Sequence, residues 1–144
     1  HIQPDVNVCL AVALPDGLIT PAVANADRRG LAEIVRERAD LVRRARSGGL
    51  TVAELERGTF TISSLAQYDI THFTAILNPP QSAILSVGRT RDRLYLNNGQ
   101  VAAERIATLG LSVDHRIIDG TLAAEFLQAL KARLEKPVFT FMHL

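Results

Sequence analysis

Apolar residues come in short runs broken by turn-forming residues along most of this chain, and only two stretches carry a sustained helical period. Val6 to Leu14 is apolar at nearly every position and β-branched at several, which predicts a strand buried on both faces. Pro15-Asp16-Gly17 ends it as a turn, and Leu18 to Val23 reads as a second extended piece with Pro21 at an edge or a bend. From Leu31 to Arg46, the residues Leu31, Ile34, Val35, Leu41, Val42 and Ala45 recur at steps of three and four among Arg and Glu, the signature of an amphipathic helix. Ser47-Gly48-Gly49 closes it. Thr51-Val52-Ala53-Glu54 has capping-box spacing, so a short helix is expected to run to Arg57 before Gly58 stops it.

Thr59 to Ser63 alternates polar and apolar residues, as a half-buried strand does. After a polar loop, Phe73 to Leu77 reads as extended, Asn78-Pro79-Pro80-Gln81 as a rigid break and Ser82 to Gly88 as another strand. Arg93 to Leu96 and Gln100 to Ala102 flank Asn97-Asn98-Gly99, a hairpin signal, because Asn-Gly tolerates the positive φ that tight turns demand. Ile106 to Asp114 alternates again: Ala107, Leu109, Leu111 and Val113 share one face, and Thr108, Gly110, Ser112 and Asp114 share the other, which is expected to look onto something polar. The last helix begins near Asp119-Gly120-Thr121 and carries Leu122, Phe126, Leu127, Leu130 and Leu134 on one stripe until Pro137. Val138 to Leu144 is apolar enough that it is expected to dock on its own domain or on a neighbour. Without internal repeats or low-complexity segments, the chain reads as one mixed α/β layer fold in which strands outnumber helices.

Composition narrows the function. The 144 residues are 47% hydrophobic and 22% charged, with a formal net charge of +1. That profile excludes disordered, collagenous and disulfide-scaffold classes. No apolar run approaches the roughly 18 residues of a membrane-spanning helix, so no membrane is expected. The near-neutral balance argues against a nucleic-acid partner, which leaves a strongly basic domain. Cys9 is the one cysteine, which precludes an internal disulfide and fits a reducing compartment: the bacterial cytoplasm, or the mitochondrial matrix in a eukaryote. No pairs of His, Cys or carboxylates show ligand spacing, so no metal is expected. Aliphatic richness in so short a chain points to a buried subunit interface.

Of four histidines, His1 and His143 lie near the chain ends and His72 in a polar loop, where solvation or incidental packing accounts for them. His115 stands where the polar face of a strand ends, just ahead of a helix start, in Ser112-Val113-Asp114-His115-Arg116-Ile117-Ile118-Asp119-Gly120. A short rigid turn there can hold an imidazole as a base near neutral pH. Asp-His-Arg reads equally well as a surface ion-pair cluster.

Asp114 to Gly120 resembles the DHRxxDG active-site motif of the dihydrolipoamide acyltransferases, the core subunits of 2-oxo acid dehydrogenase complexes. A variant of that motif occurs in chloramphenicol acetyltransferase. Three more stretches resemble the same family in the same order: Asp16 to Pro21 with Asn25-Ala26-Asp27, then Gly58 to Leu65, then Phe73 to Gln81. The resemblance implies a two-layer α/β sandwich of the chloramphenicol acetyltransferase type, a mixed sheet with flanking helices. It also implies that residues 1–144 form the C-terminal portion of a single acyltransferase catalytic domain, whose N-terminal part would supply an Arg paired with Asp119 and groups that bind coenzyme A. The chain departs from the family at Ser64-Leu65-Ala66-Gln67-Tyr68-Asp69, in place of Ser-Asn-Leu-Gly and an apolar-glycine pair, a change expected to bear on the acyl or lipoyl pocket.

Carried over, the resemblance implies acyl exchange between dihydrolipoamide and coenzyme A. His115 would take the thiol proton, Ser63 would donate a hydrogen bond to the tetrahedral oxyanion, and Asp119 would orient the His115 turn through an ion pair. On the residues alone, Ser63 is an ordinary serine of an alternating strand and Asp119 a helix N-cap. Coenzyme A would be a substrate, and lipoate would ride on a separate upstream lipoyl domain. The family also implies a homotrimer with active sites between subunits, building a larger cubic or dodecahedral core that binds the E1 and E3 components, with the apolar C-terminal tail as a contact between trimers. Two alternatives stand beside it: a non-catalytic scaffold subunit of the same fold, and an acetyltransferase with a hydroxyl acceptor, as in the chloramphenicol type.

Overall fold

A computed structural model describes residues 2–136, so the expectations for His1, His143 and the apolar tail lie outside the described residues. Among the described residues, nine strands follow one another as β1 (Val8–Leu10), β2 (Val12–Leu14), β3 (Gly17–Ile19), β4 (Ala22–Val23), β5 (Phe60–Ser64), β6 (Ala83–Val87), β7 (Arg91–Asn97), β8 (Gln100–Ile106) and β9 (Leu109–Val113). Three α-helices are present among the described residues: α1 (Leu31–Ser47), α2 (Val52–Glu56) and α3 (Gly120–Glu135). Five strands form one mixed sheet in the order β4-β1-β5-β6-β9, with β1, β5 and β6 parallel and the two edge strands antiparallel. This is the α/β layer fold that the patterning predicts.

The apolar run from Val6 to Leu14 is not one strand. It breaks at Ala11, whose N–H makes a last bond to the Ile62 carbonyl (3.0 Å), after which Val12–Leu14 pairs with β3 in a separate hairpin. A strand buried on both faces needs neighbours along its whole length. β4 offers β1 only Ala22 and Val23 before Pro21, so the chain changes partner where the ladder runs out. Asn7, the polar interruption in the run, is buried and fully engaged: its side chain donates to the Arg57 carbonyl (2.8 Å) and accepts from the Asn25 N–H (2.9 Å).

Helix α1 follows the predicted period but buries only Leu41 and Ala45, while Leu31 and Val35 are about half exposed. Gly48 ends it with φ 73, a left-handed conformation that glycine adopts without a Cβ penalty. The capping box forms as expected, with Thr51 Oγ1 accepting from the Glu54 N–H and the Thr51 N–H donating to the Glu54 carboxylate (2.8 Å). Arg44 then clamps α1 to α2 by two hydrogen bonds to Glu54 (2.6 and 2.8 Å). The Arg44 guanidinium, helped by the Thr51 N–H, holds the Glu54 carboxyl down to about 2.

Strand alternation sorts the sheet into two faces. Phe60, Ala83, Leu111 and Val113 look onto Leu122, Ala123 and Phe126 of α3, with the Phe60 and Phe126 rings 5.8 Å apart. Leu10 and Ile62 on the same face border Val42 of α1. The opposite face is crossed by the segment after β5. There Gly88 permits a close approach, since a Cβ on it would lie 2.0 Å from the Thr71 carbonyl oxygen. Phe73 to Leu77 is not a ladder strand, although burial alternates along it. The predicted hairpin is present as β7–β8, turning on Asn98 (φ 50) and Gly99 (φ 80).

Two expectations follow. Gly88→Ala should destabilise the fold by about 2–3 kcal/mol in chemical denaturation, because the backbone oxygen it would strike cannot rotate away. Glu54 has a lowered folded-state pKa, so its contribution is present above pH 4.5 and lost as pH falls toward 2. Thermal unfolding of Glu54→Gln should therefore show a lower midpoint than the parent at pH 7 and a gap that closes between pH 4.5 and 2.

Candidate active site

Ser63 owes its position to the period of two along β5. Thr61 and Ser63 point to the face opposite α3, and the register extends that row sideways: Ser63 pairs with Ser86, and Ser86 with Gly110. The polar side of β9 thus continues a polar stripe across three strands. Ser86 is buried and donates to the Gly110 carbonyl (3.2 Å), whereas the half-buried Ser63 hydroxyl has no hydrogen-bond partner among the described residues. It lies in a cleft of about 430 Å³ floored by Thr61, Ser63 and Ile84. Leu18 and Thr20 wall one side and residues 73–78 the other, and Asn78 Nδ2 bridges the walls by donating to Thr20 Oγ1 (3.1 Å). Sequence reasoning did not single out Thr20 or Asn78 as cleft residues; their signal lay in the two Pro-containing stretches that carry them.

Behind the floor sits a closed polar cluster. Thr61 Oγ1 donates to Gln81 Oε1 (2.6 Å), and Gln81 Nε2 donates to Cys9 Sγ (3.3 Å). Burial pushes the Cys9 thiol pKa up, so it stays protonated and is no nucleophile.

His115 stands on a turn fastened at both ends. The Asp114 N–H extends the sheet by donating to the Ser82 carbonyl (2.8 Å), and the Asp114 carbonyl accepts from the N–H groups of Ile117 and Ile118 (both 2.9 Å). The Asp114 carboxylate accepts from the Arg116 side chain (2.6 and 2.9 Å) and from its backbone N–H (3.1 Å), which holds the carboxyl down to about 2. His115, between them, is exposed and without a hydrogen-bond partner among the described residues. Asp119 caps α3, its Oδ1 accepting from the Leu122 N–H (2.8 Å). Among the described residues it makes no ion pair, so the cap is the role the geometry gives it.

The structure does not bring Ser63 and His115 together. Ser63 is level with Ser86, while His115 lies two residues past the Val113–Ala83 pair, level with Gln81, and β6 separates their strands. At about 3.3 Å per residue and 4.8 Å per strand, their backbones are roughly 15–20 Å apart. Each chain therefore offers a free hydroxyl in a cleft and, elsewhere, a free imidazole on a rigid turn.

In the departing stretch, Ser64, Ala66, Gln67 and Tyr68 line a cleft of about 730 Å³ against Arg38 and Arg46 of α1, separate from the Ser63 cleft. Asp69 takes a left-handed conformation (φ 62) and pairs with Arg89 (2.7 Å). Among the described residues no group of three or more His, Cys, Asp or Glu is placed to hold a metal, and no helix is long and apolar enough to cross a membrane.

The family model for the 2-oxoacid dehydrogenases acyltransferase (catalytic domain) matches residues 1–142. The dihydrolipoyllysine-residue acetyltransferase component of the Rickettsia felis pyruvate dehydrogenase complex is 44% identical over 133 residues, which is 92% of this chain and 32% of that protein. The chain thus spans about a third of the length of the curated Rickettsia relatives it matches. A crystallographic and enzymatic study of Azotobacter vinelandii dihydrolipoamide acetyltransferase addresses the roles of a serine, a histidine and an asparagine in catalysis. That structure superposes with a TM-score of 0.86 at 36% identity, covering 92% of this chain and 54% of the other. There the histidine follows the serine by 52 positions and the asparagine follows the histidine by four. The cubic core of the pyruvate dehydrogenase multienzyme complex superposes equally well, with a TM-score of 0.86 at 36% identity and 92% and 54% coverage. With its family model spanning nearly the whole sequence, and the mixed sheet and polar stripe arranged as described, the chain belongs to the acyltransferase catalytic-domain family of the 2-oxoacid dehydrogenases.

Proposed function

We propose that this chain forms the catalytic part of a dihydrolipoamide acetyltransferase that moves an acetyl group between dihydrolipoamide and coenzyme A. The observation that carries the reading is the pairing of two unengaged groups: the Ser63 hydroxyl in its cleft and the His115 imidazole on its locked turn. They stand 52 positions apart, the spacing of the serine and histidine in the Azotobacter enzyme, with Asp119 where that enzyme has asparagine.

The proposed chemistry is thioester exchange. A thiol with a pKa of about 8.5 is mostly protonated at neutral pH, so His115 removes its proton as the sulfur attacks the thioester carbonyl. The new S–C bond forms, the carbonyl oxygen becomes an oxyanion, and Ser63 donates to it. Collapse breaks the old S–C bond, and the imidazolium returns its proton to the leaving sulfur. No net oxidation occurs. Asp119 acts on the rigidity of the turn, by capping the helix that follows His115.

The separation of Ser63 from His115 within one chain is met if each site takes its serine from one subunit and its histidine from the next. A heterologous contact of that kind closes into a ring, here a homotrimer, and trimers build the cubic or larger core. Lipoate arrives on a lipoyl domain outside this chain, and the core recruits the E1 and E3 components. The cell compartment is the bacterial cytoplasm or the mitochondrial matrix.

His115→Ala should lower turnover about 100-fold or more, and Ser63→Ala by about 100-fold, in transfer from acetyl-CoA to dihydrolipoamide. Refolding the two variants together at equal amounts should restore about a quarter of wild-type activity, because one contact in four then pairs an intact serine with an intact histidine. A mixture no more active than the variants alone would end the shared-site reading, and near-normal turnover in His115→Ala would remove that residue from the chemistry.

A further inference from the structure

Strand β5 has a second cleft behind it. Thr61 and Ser63 face the Ser63 cleft, so the alternation of the strand turns Ile62 and Ser64 to the other side, where both line the cleft of about 730 Å³ against α1. The two clefts lie back to back, with Ala11 touching each. The far cleft is of a size that takes a small organic molecule, and none of Ser63, His115 and Asp119 lines it.

Its lining divides into an apolar and a cationic part. Leu10, Val12 and Ile62 from the strands and Val42 from α1 give it an aliphatic floor. Along one wall α1 presents Arg38, Val42 and Arg46 at steps of four, a single stripe about 12 Å long. Neither of these guanidiniums has an ion pair or a hydrogen bond among the described residues, and no Asp or Glu lines the cleft. Nearby arginines are engaged instead: Arg43 and Arg44 with Asp40, Arg44 also with Glu54, and Arg29 and Arg57 with Glu37. Two like charges facing one hollow without a counter-charge give it a positive potential that its apolar floor concentrates. On the opposite wall the Gln67 amide makes no hydrogen bond to a described residue, and Tyr68 is 60% exposed.

We propose that this cleft binds an amphiphilic organic anion, with a carboxylate or phosphate head held by Arg38 and Arg46 and an aliphatic body laid on Leu10, Val12, Val42 and Ile62. Guanidinium forks meet the oxygens of either head in paired hydrogen bonds. The side chains of the floor offer no hydrogen bond to a polyhydroxylated body, so the body is a hydrocarbon rather than a sugar. This site is separate from thioester exchange and stands whether or not the chain transfers acyl groups.

Calorimetric titration of the full-length protein tests this, with hexanoate and hexyl phosphate as amphiphiles and acetate and inorganic phosphate as bare heads. At least one amphiphile should bind once per chain, tenfold or more tighter than its bare head, the effect of about two buried methylenes. Which amphiphile binds identifies the head. Arg38→Gln and Arg46→Gln should each weaken that binding tenfold or more. Arg36→Gln removes an exposed arginine of α1 outside the cleft and should leave it unchanged. Absence of binding by both amphiphiles, the result if another stretch of the full-length protein fills the cleft, overturns the proposal. A bare head that binds as tightly as its amphiphile does so too, because surface charge alone then accounts for it. Binding that survives both cleft substitutions, or that falls equally in Arg36→Gln, places the ligand elsewhere and ends the proposal.

Discussion

Four residue pairs between β5 and β6, from Thr61–Ile84 to Ser64–Val87, hold the two central strands in parallel register, and the rest of the molecule is arranged around that ladder. A slip of one residue would turn Ser63 into the layer beneath α1 and α3 and bring Ile62 to the cleft. The same ladder levels Ser63 with Ser86 and carries the polar stripe to Gly110 on β9. Because β9 runs antiparallel, its continuation leaves the sheet at the opposite end from Ser63, which is why serine and histidine part company within one chain. The separation of the two residues within one chain is thus a property of strand direction, settled before any side chain is considered.

Much of this was legible in local pattern. The α1 period, the Thr51 capping box, the Asn98-Gly99 turn and the Asp119 cap each depend on residues within four or so positions, where spacing alone specifies geometry. The polar face of β9 was readable for the same reason, since alternation is a local property. The split of the first apolar run at Ala11 was not, because it depends on the brevity of β4. Leu31 and Val35 belong to the apolar stripe of α1 yet are about half exposed, a detail that spacing along one helix does not carry.

The candidate site was legible as residues and illegible as a place. Motif resemblance picked out Ser63, His115 and Asp119, but spacing along a chain does not say which face or which end of a sheet a residue occupies. Thr20 and Asn78 meet across 58 positions, a contact no local rule reaches. The loop from Ser64 to Tyr68 illustrates the same limit, since adjacent residues of a strand face opposite layers. Being next to Ser63 in sequence placed Ser64 on the far side of the sheet.

The burial of Cys9 has a consequence for redox chemistry. The proposed substrates include a dithiol whose oxidised form is a strained cyclic disulfide, a ready target for any accessible thiolate. Cys9 is fully enclosed beneath Gln81 and Thr61, and its environment disfavours ionisation. The one thiol of this chain therefore cannot open that ring or be trapped as a mixed disulfide. Swings in the oxidation state of the lipoyl pool pass over the chain without leaving a covalent mark on it.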